Sequence, residues 1–192
     1  MDGQSVSFSR TTMTELMIPA YANFGGKIHG GHLLSLMDKV AYACASRHAG
    51  TYCVTVSVDT VHFLKPVEVG ELVSFQASVN YVGNSSLVVG MRVTSENVQS
   101  RVVNHTNTSY FTMVARSETG GKVQVPPLIL ETTDDVRRFF AALKRRELSQ
   151  RNRETMKAYD HSDFRLSGEA GAALADERCI IHLLDESSDM GS

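Results

Sequence analysis

The chain has 192 residues and a mass of 21.1 kDa, the size of one domain or of one domain with a short extension. Hydrophobic residues make up 42% of it and charged residues 21%, and the formal net charge is −2. This composition excludes a disordered chain, a collagen and a small disulfide-stapled protein.

The first predicted elements are a short strand and one long helix. The strand covers residues 12–18 and is followed by a loop at 20–27. Gly30 then opens a helical pattern that runs to about His48, with Gly50 as the C-cap. Apolar residues lie on several faces of this helix, so we predict that it is buried nearly all round. The main apolar stripe contains Leu33, Met37, Val40, Ala41 and Cys44, and the other faces carry Leu34, Leu36, Ala43 and Ala45.

Four predicted strands follow the helix, at residues 53–63, 72–82, 86–94 and 102–116. The second and third are joined by a tight Gly-Asn turn, which indicates a hairpin. This order predicts an α+β fold in which a curved antiparallel sheet wraps around one central helix. In the first of these strands, alternation predicts that Val54, Val56 and Val58 face one side and that Thr55, Ser57 and Asp59 face the other.

A C-terminal helical extension is predicted at residues 132–158, after a compact body at 1–131. The stretch 134–157 holds eight Lys or Arg against four Asp or Glu, so this helix is basic. Thr132 and Asp135 fit a capping box, with Asp in place of Glu or Gln. We expect its apolar stripe to dock on the body or on a neighbouring subunit, and phosphate contact by residues such as Arg145 and Arg146 is the alternative role of its basic face. The stripe contains Val136, Phe139, Phe140 and Leu143.

The sequence favours a cytoplasmic protein without membrane or nucleic-acid partners. Its longest uncharged apolar stretch, residues 28–37, is far shorter than the roughly 20 residues that cross a bilayer. The first five residues do not resemble a secretory signal. Cys44, Cys53 and Cys179 form an odd number without metal-ligand spacing, which predicts reduced thiols. The basic helix lacks the interleaved aromatic residues of an RNA-binding surface. Residues 159–192 are a predicted polar tail with one apolar run at 179–184.

Asp38 is the main candidate for a catalytic residue. It lies in the middle of the long helix, within a segment otherwise nearly free of charge. Burial of a lone carboxylate is costly or shifts its pKa, so a general base or nucleophile at a cleft is one explanation. The structural alternative is a carboxylate paired with Lys39 or Arg47, or turned towards solvent.

The sequence His29-Gly30-Gly31-His32 lies at the start of the same helix. Two His with this spacing suit zinc, but no third ligand has matching spacing, so we expect no metal. The two Gly would let a ligand approach the N–H groups of the helix N-terminus, which favour developing negative charge. The alternative is a tight turn that needs Gly for its conformation.

Two further polar candidates lie in loops. Asn23 precedes a Gly-Gly pair and on its own fits an Asx turn. Asn84, Ser85 and Ser86 follow Gly83 in the predicted hairpin turn and offer polar groups to a ligand. From the residues alone, both segments are more typical of turns than of binding sites.

Residues 23–38, NFGGKIHGGHLLSLMD, resemble the signature of hotdog-fold acyl-CoA thioesterases. The most similar group is the bacterial broad-specificity acyl-CoA hydrolases related to brain acyl-CoA hydrolase. The order of elements predicted above is that of a hotdog fold. Supporting matches occur at 17–19, 54–59, 63–67, 69–71 and 110–115, so the resemblance covers about residues 12–130.

The resemblance implies a catalytic pair. Asp38 matches the family's catalytic carboxylate, which acts as a general base for water or as a nucleophile on the thioester carbonyl. Asn23 matches the second catalytic residue and would face Asp38 from the partner subunit. The backbone N–H of Gly31, with Gly30 and His32 beside it, would polarise the carbonyl.

The resemblance also implies the substrate and the assembly. The substrate would be an acyl-CoA, hydrolysed to a free fatty acid and coenzyme A in fatty-acid metabolism. No metal and no cofactor would be needed, because coenzyme A is part of the substrate. The CoA portion would run near Asn84, Ser85 and Ser86. We expect a dimer of hotdogs, assembled as a trimer of dimers into a homohexamer.

Two other functions stay open within the same fold. A hotdog dehydratase would place a catalytic His beside the carboxylate, and His29 and His32 are the candidates. A non-hydrolytic acyl-CoA-binding sensor would keep the pocket without the chemistry. The presence of both Asn23 and Asp38 favours the hydrolase over the sensor.

Overall fold

The computed structural model describes residues 2–158, so the predicted tail at 159–192, with Cys179, lies outside the described residues. The chain divides into two compact units, Met1–Glu147 and Leu148–Ser192. None of the helices within residues 2–158 is long and apolar enough to cross a membrane. In chain order the elements are β1 (Gln4–Ser5), α1 (Val6–Ser9), β2 (Thr11–Leu16), a 3₁₀ turn (Pro19–Tyr21), α2 (Gly30–Ala49), β3 (Tyr52–Val58), β4 (Glu71–Val82), β5 (Ser86–Asn97), β6 (Val103–Arg116), β7 (Leu128–Ile129) and α3 (Thr133–Ala158).

Five strands form one antiparallel sheet in the order β2-β4-β5-β6-β3. The helix α2 packs on one face of this sheet, which we call the inner face. Inward side chains of the central strands, such as Phe75, Val89 and Phe111, are fully buried against it. The predicted α+β architecture, an antiparallel sheet around one long helix, is therefore confirmed.

The helix α2 begins and ends at clear local signals. His29 is its N-cap, and Nδ1 of that residue accepts a hydrogen bond from the Gly31 N–H at 2.9 Å. Gly50 ends it with a left-handed φ of 67°, and its N–H donates to the Ser46 carbonyl at 2.9 Å. The predicted start and the predicted C-cap are both confirmed.

The prediction that α2 is buried all round is wrong for the described chain. Leu33, Met37 and Cys44 are buried by the sheet, as their stripe predicts. The opposite face carries Leu34 and Tyr42, which stay 36% and 43% exposed. The sheet covers one side of a helix only, and no other element within residues 2–158 covers this second apolar side.

The edge strand β3 is shorter than predicted, because it ends at Val58. Its pairing with β6 shifts register between Thr55 and Ser57, so Val56 is an extra residue in a β-bulge. Past Val58 the chain continues beside β6 without strand geometry, where the Asp59 N–H donates to the Tyr110 carbonyl. The short parallel pair β1–β7 was not predicted from the sequence.

The capping box of α3 is confirmed. The Asp135 N–H donates to Thr132 Oγ1 at 3.1 Å, and the Thr132 N–H donates to Asp135 Oδ2 at 3.0 Å. The predicted docking stripe is partly wrong, because Val136 and Phe140 are exposed and the buried residue of this face is Ala142. The face of α3 that packs on the sheet is therefore rotated from the predicted stripe. It includes two arginines whose guanidinium groups stack on aromatic rings of the sheet.

Those arginines occupy the outer face of the sheet, opposite α2. The Arg145 guanidinium lies 3.8 Å from the ring centroid of Tyr110, and that of Arg146 lies 4.4 Å from the ring of Tyr81. The Phe139 ring is 5.3 Å from the same Tyr81 ring. Such contacts combine apolar area with cation–π attraction, so they attach the first half of α3 to the sheet.

The two described cysteines are free and buried. Burial raises the pKa of the Cys44 thiol to about 12 and raises that of Cys53 above its ordinary value. Both thiols therefore stay protonated at neutral pH and act as small apolar core residues.

Candidate active site

Asp38 presents its carboxylate on the exposed side of α2. Thr55 Oγ1 donates a hydrogen bond of 2.6 Å to its Oδ1. No ion pair joins Asp38 to any residue within 2–158, and Arg47 instead donates to the Arg10 carbonyl. The pairing of this carboxylate with Lys39 or Arg47 is therefore not seen, and the group remains accessible to a substrate.

Thr55 is a site residue that sequence reasoning missed. The predicted alternation grouped it with Ser57 and Asp59 on one side of the strand, opposite Val54, Val56 and Val58. In the structure Thr55 pairs with Met113, a core residue, so it shares the inner face with α2. Alternation is regular up to Thr55, so Cys53 and Thr55 face inward and Val54 faces outward; the bulge then places Ser57 on the outer face and Val58 on the inner face. The available signal was a hydroxyl on the same side of the strand as the buried Cys53.

Asn23 forms the Asx turn that its sequence context predicts. Its Oδ1 accepts hydrogen bonds from the N–H groups of Gly25 at 2.9 Å and Lys27 at 3.2 Å. The amide Nδ2 of this exposed side chain donates to no residue within 2–158. Asn23 makes no hydrogen bond to Asp38, which lies about 12 Å along the axis from the start of α2. One chain thus brings together Asp38 and Thr55 but not Asn23.

Gly30 and Gly31 are not needed for backbone conformation, because neither has a positive φ. A Cβ on Gly30 would make an ordinary contact of 3.5 Å with the Phe63 ring. A Cβ on Gly31 would lie 2.9 Å from the imidazole of His29. The Gly31 N–H is already bonded to His29 Nδ1, so it can polarise a substrate carbonyl only when that imidazole turns away.

His32 packs beside the start of the helix and not beside the carboxylate. Its ring stacks on Tyr21 at 3.7 Å, and its Nε2 lies 3.8 Å from Glu15 Oε1. The same Glu15 raises the pKa of the Tyr21 hydroxyl through a hydrogen bond to it. His32 is six positions from Asp38, about 9 Å along the axis and on another face. Within one chain this position gives the dehydratase interpretation no His next to Asp38.

The turn of Asn84, Ser85 and Ser86 is held by its backbone. Its three carbonyls accept hydrogen bonds from the N–H groups of Val125, Ala115 and Gly83. Ser86 lies on β5, which is separated from β3 by β6. The structure does not bring this turn into contact with Asp38. Among residues 2–158, no cluster of three or more His, Cys, Asp or Glu side chains is placed to hold a metal.

Exposed apolar side chains lie on the two elements that carry Asp38 and Thr55. Tyr42 of α2 and Tyr52 of β3 lie with ring centroids 5.8 Å apart, and Tyr52 is 56% exposed. Val56 on the same strand is 59% exposed. Because β3 is an edge strand, its outer backbone groups are also free of partners from the sheet. An apolar surface next to an open strand edge is typical of a protein–protein interface.

Comparison with known sequences identifies the relatives of this chain. The family model described as the thioesterase superfamily matches residues 25–102. The Helicobacter pylori protein VdlD is 46% identical over 143 residues, which cover 74% of this chain and 82% of that protein. The Bacillus subtilis protein YkhA, named as an uncharacterized acyl-CoA thioester hydrolase, is 32% identical over 137 residues, covering 71% of this chain and 80% of that protein.

Solved structures match the same region. An acyl-CoA hydrolase from Staphylococcus aureus, in complex with butyryl-CoA, CoA and CoA disulfide, has a TM-score of 0.75 at 29% identity and covers 81% of this chain and 95% of that chain. A hexameric acyl-CoA thioesterase has a TM-score of 0.77 at 32% identity, covering 79% and 97%. Alanine variants of an asparagine, an aspartate and a threonine of the S. aureus enzyme have also been solved. There the aspartate follows the asparagine by fifteen positions, and the threonine follows the aspartate by seventeen.

Proposed function

Because this chain belongs to the thioesterase superfamily, we propose that it is an acyl-CoA thioester hydrolase whose reaction depends on Asp38, Thr55 and Asn23. It converts an acyl-CoA and water into a free carboxylic acid and coenzyme A. The reaction proposed needs no cofactor or metal, since a thioester is already a reactive acyl donor. A cytoplasmic place in fatty-acid metabolism fits this substrate.

One observation carries the assignment of residues. Asp38 follows Asn23 by fifteen positions, and Thr55 follows Asp38 by seventeen. The asparagine, aspartate and threonine replaced in the S. aureus acyl-CoA hydrolase have the same two spacings. The hydrogen bond between Thr55 and Asp38 supports this match, because it joins two of the three residues across a helix and a strand.

The geometry supports Asp38 as a general base. Thr55 donates to Oδ1 of the carboxylate and orients it, and Oδ2, which accepts no hydrogen bond within residues 2–158, is free to take a proton from water. The water oxygen then attacks the thioester carbonyl carbon, and the C–S bond breaks as the tetrahedral intermediate collapses. The same carboxyl group returns the proton to the departing thiolate of CoA. Because Gly30 and Gly31 lie about 12 Å along α2 from Asp38 of the same chain, the N–H groups that polarise the carbonyl oxygen are those at the start of the partner subunit's α2, once that Gly31 N–H is released from His29.

The function requires a second copy of the chain. Asn23 is too far from Asp38 to act on it within one chain, but Asn23 of the partner subunit can face Asp38 across the surface formed by α2 and β3. The exposed Leu34, Tyr42 and Val56 support this interface, because their burial would stabilise it. We place the active site at the interface of a hotdog dimer, three of which form a homohexamer.

The turn of Asn84, Ser85 and Ser86 is proposed to contact CoA through its polar side chains. The direct test of the whole proposal is release of free thiol from acyl-CoAs of several chain lengths by the purified full chain. Turnover that stops in Asp38→Asn supports it. Absence of turnover with every acyl-CoA, in a protein that binds CoA esters, would favour the sensor instead.

A further inference from the structure

A polar cleft of about 320 Å³ lies on the outer face of the sheet, beneath α3. Its floor is made of two cross-strand rows of outward-facing residues. One row is Gln76, Arg92 and Thr108, and the next is Ser78, Gly90 and Tyr110. Its roof is α3, which contributes Arg137, Arg138 and Ala141. We call this the α3 cleft.

The α3 cleft is separate from the candidate active site. Its floor residues alternate along β4 with the core residues Ala77 and Val79, which face α2. The sheet therefore stands between the cleft and Asp38 of the same chain. A ligand in this cleft is not the thioester that Asp38 of that chain attacks.

Gly90 and Asn80 give the cleft floor its shape. Asn80 is 6% exposed, and its Oδ1 accepts a hydrogen bond from Ser78 Oγ at 3.0 Å. This bond leaves the Nδ2 group as a donor that binds no acceptor within residues 2–158. A Cβ on Gly90 would lie 2.2 Å from that Nδ2, so only glycine allows the amide to cross the floor here. The cleft therefore has a preformed floor in which the nearly buried Asn80 amide is available as a hydrogen-bond donor.

The charged side chains that line the cleft are all positive. Arg92, Arg137 and Arg138 line it, and none of its lining residues is acidic. Asp134 binds Arg137 at 2.5 Å and Arg138 at 2.7 Å outside the lining. Each guanidinium has five N–H donors, so these ion pairs leave donors for a ligand. Arg92 forms no ion pair with any residue within 2–158, and its charge is available.

We propose that the α3 cleft binds the phosphate group of a small phosphorylated molecule. Guanidinium forks match phosphate oxygens with paired hydrogen bonds, and the Asn80 amide and the Tyr110 hydroxyl add neutral donors to the same space. A volume of about 320 Å³ holds more than one phosphate group, so the ligand is a phosphomonoester with an organic part and not the bare ion alone. The organic part is either the nucleotide end of a CoA molecule held by another subunit or a free nucleotide.

The test is calorimetric titration of the full chain at constant ionic strength with three probes: inorganic phosphate, adenosine 3′,5′-bisphosphate and ADP. We expect saturable binding of adenosine 3′,5′-bisphosphate or ADP, tighter than that of inorganic phosphate and weakened about tenfold or more by Arg92→Glu, because a charge-assisted contact becomes repulsive. Saturable binding of inorganic phosphate alone overturns the proposal. Lys144→Glu is the matched control, since it makes the same charge change on an exposed residue of α3 outside the cleft. Binding to Lys144→Glu should equal that of the wild type.

Thermal melts of both variants check folding, and Arg137→Ala provides a second, milder variant if Arg92→Glu is unstable. Preference for adenosine 3′,5′-bisphosphate identifies the CoA-type source, and preference for ADP identifies a free nucleotide. Absence of saturable binding by all three probes overturns the proposal. So does equal loss, or equal retention, of binding in Arg92→Glu and Lys144→Glu. Because binding is the readout, the result does not depend on thioester hydrolysis.

Discussion

Thr55 Oγ1 lies 2.6 Å from Oδ1 of Asp38, and this hydrogen bond joins the middle of the central helix to the edge strand of the sheet. The same hydroxyl is 3.2 Å from the Met113 sulfur, so the Thr55 side chain is held from two sides. A carboxylate on an exposed helix face would otherwise rotate freely. The contact therefore defines which oxygen of Asp38 meets water.

Replacement of Asp38 by Asn should lower kcat about 100-fold or more, because a positioned base contributes roughly that factor. Binding of CoA should persist, since the change is nearly isosteric. The measurement is thiol release under saturating acyl-CoA, with Glu118→Gln as the matched control in an exposed loop. Near-normal turnover in Asp38→Asn would refute the base assignment.

Thr55→Val should lower kcat about tenfold or more with little change in KM, because a small misplacement of a catalytic group has a large effect on rate. Valine keeps the shape of the side chain but donates no hydrogen bond. Thr55→Ser keeps the hydroxyl and should restore most of the activity. If serine and valine variants are equally slow, the methyl packing and not the hydrogen bond is what matters.

Mixing of the separately inactive Asn23→Ala and Asp38→Ala proteins should restore activity if the site is shared between subunits. Each mixed dimer holds one site with both native residues, so free exchange gives about a quarter of the wild-type sites. The mixture is assayed before and after a cycle of mild dissociation, which each single variant also undergoes alone. Confirmed subunit exchange with no gain in activity would place Asn23 and Asp38 in separate roles.

His29→Ala should reduce the free energy of unfolding by about 1 kcal/mol, the usual effect of losing an N-cap. It should not abolish hydrolysis, because the loss of the imidazole leaves the Gly31 N–H free to meet the substrate. Chemical denaturation and steady-state kinetics measure the two effects. A fall in kcat as large as that of Asp38→Asn would show that His29 takes part in the chemistry.

Stability should fall on acidification because of His48. This side chain is 1% exposed, and burial lowers its pKa below the usual value of about 6.5. As the pH falls below 6.5 the unfolded chain binds the proton first, so stability decreases until the pH reaches the folded-state pKa. His48→Gln, which can still donate to the Pro126 carbonyl, should lose less stability between pH 7.5 and pH 5 than the wild type in urea titrations. His62→Gln, the same substitution at an exposed position, is the control.

The fold was predictable because its local signals agree with one another. The apolar stripe of α2, its Gly50 cap and the alternating strands each indicate the same architecture. Burial of the whole helix was not predictable, since the sequence shows that Leu34 and Tyr42 are apolar but not which molecule covers them. The exposure of Phe140 has a geometric reason. Adjacent residues on a helix point about 100° apart, so Phe139 and Phe140 cannot both face the sheet, and the sequence does not show which of them does.

The site was only partly predictable. Asp38 was found as a charge in an apolar helix, and Asn23 only through its place in the family signature. Thr55 was missed because an unbroken alternation groups it with Ser57 and Asp59 as one polar side of the strand. A bulge depends on pairing with a distant strand, so nothing in the local pattern of β3 reveals it.

The bulge in β3 changes which residues of the strand face α2: odd-numbered positions before the bulge and even-numbered positions after it. Before the bulge, the side chains turned towards α2 are Cys53 and Thr55, and beyond it Val58 occupies that side. A one-residue shift of the first half against β6 would offer Val54 or Val56 to the carboxylate, and neither has a hydroxyl. Length changes beyond Val58 leave the contact alone. Insertions and deletions among relatives that keep the Thr55–Asp38 contact should therefore fall after the bulge and not between it and the helix.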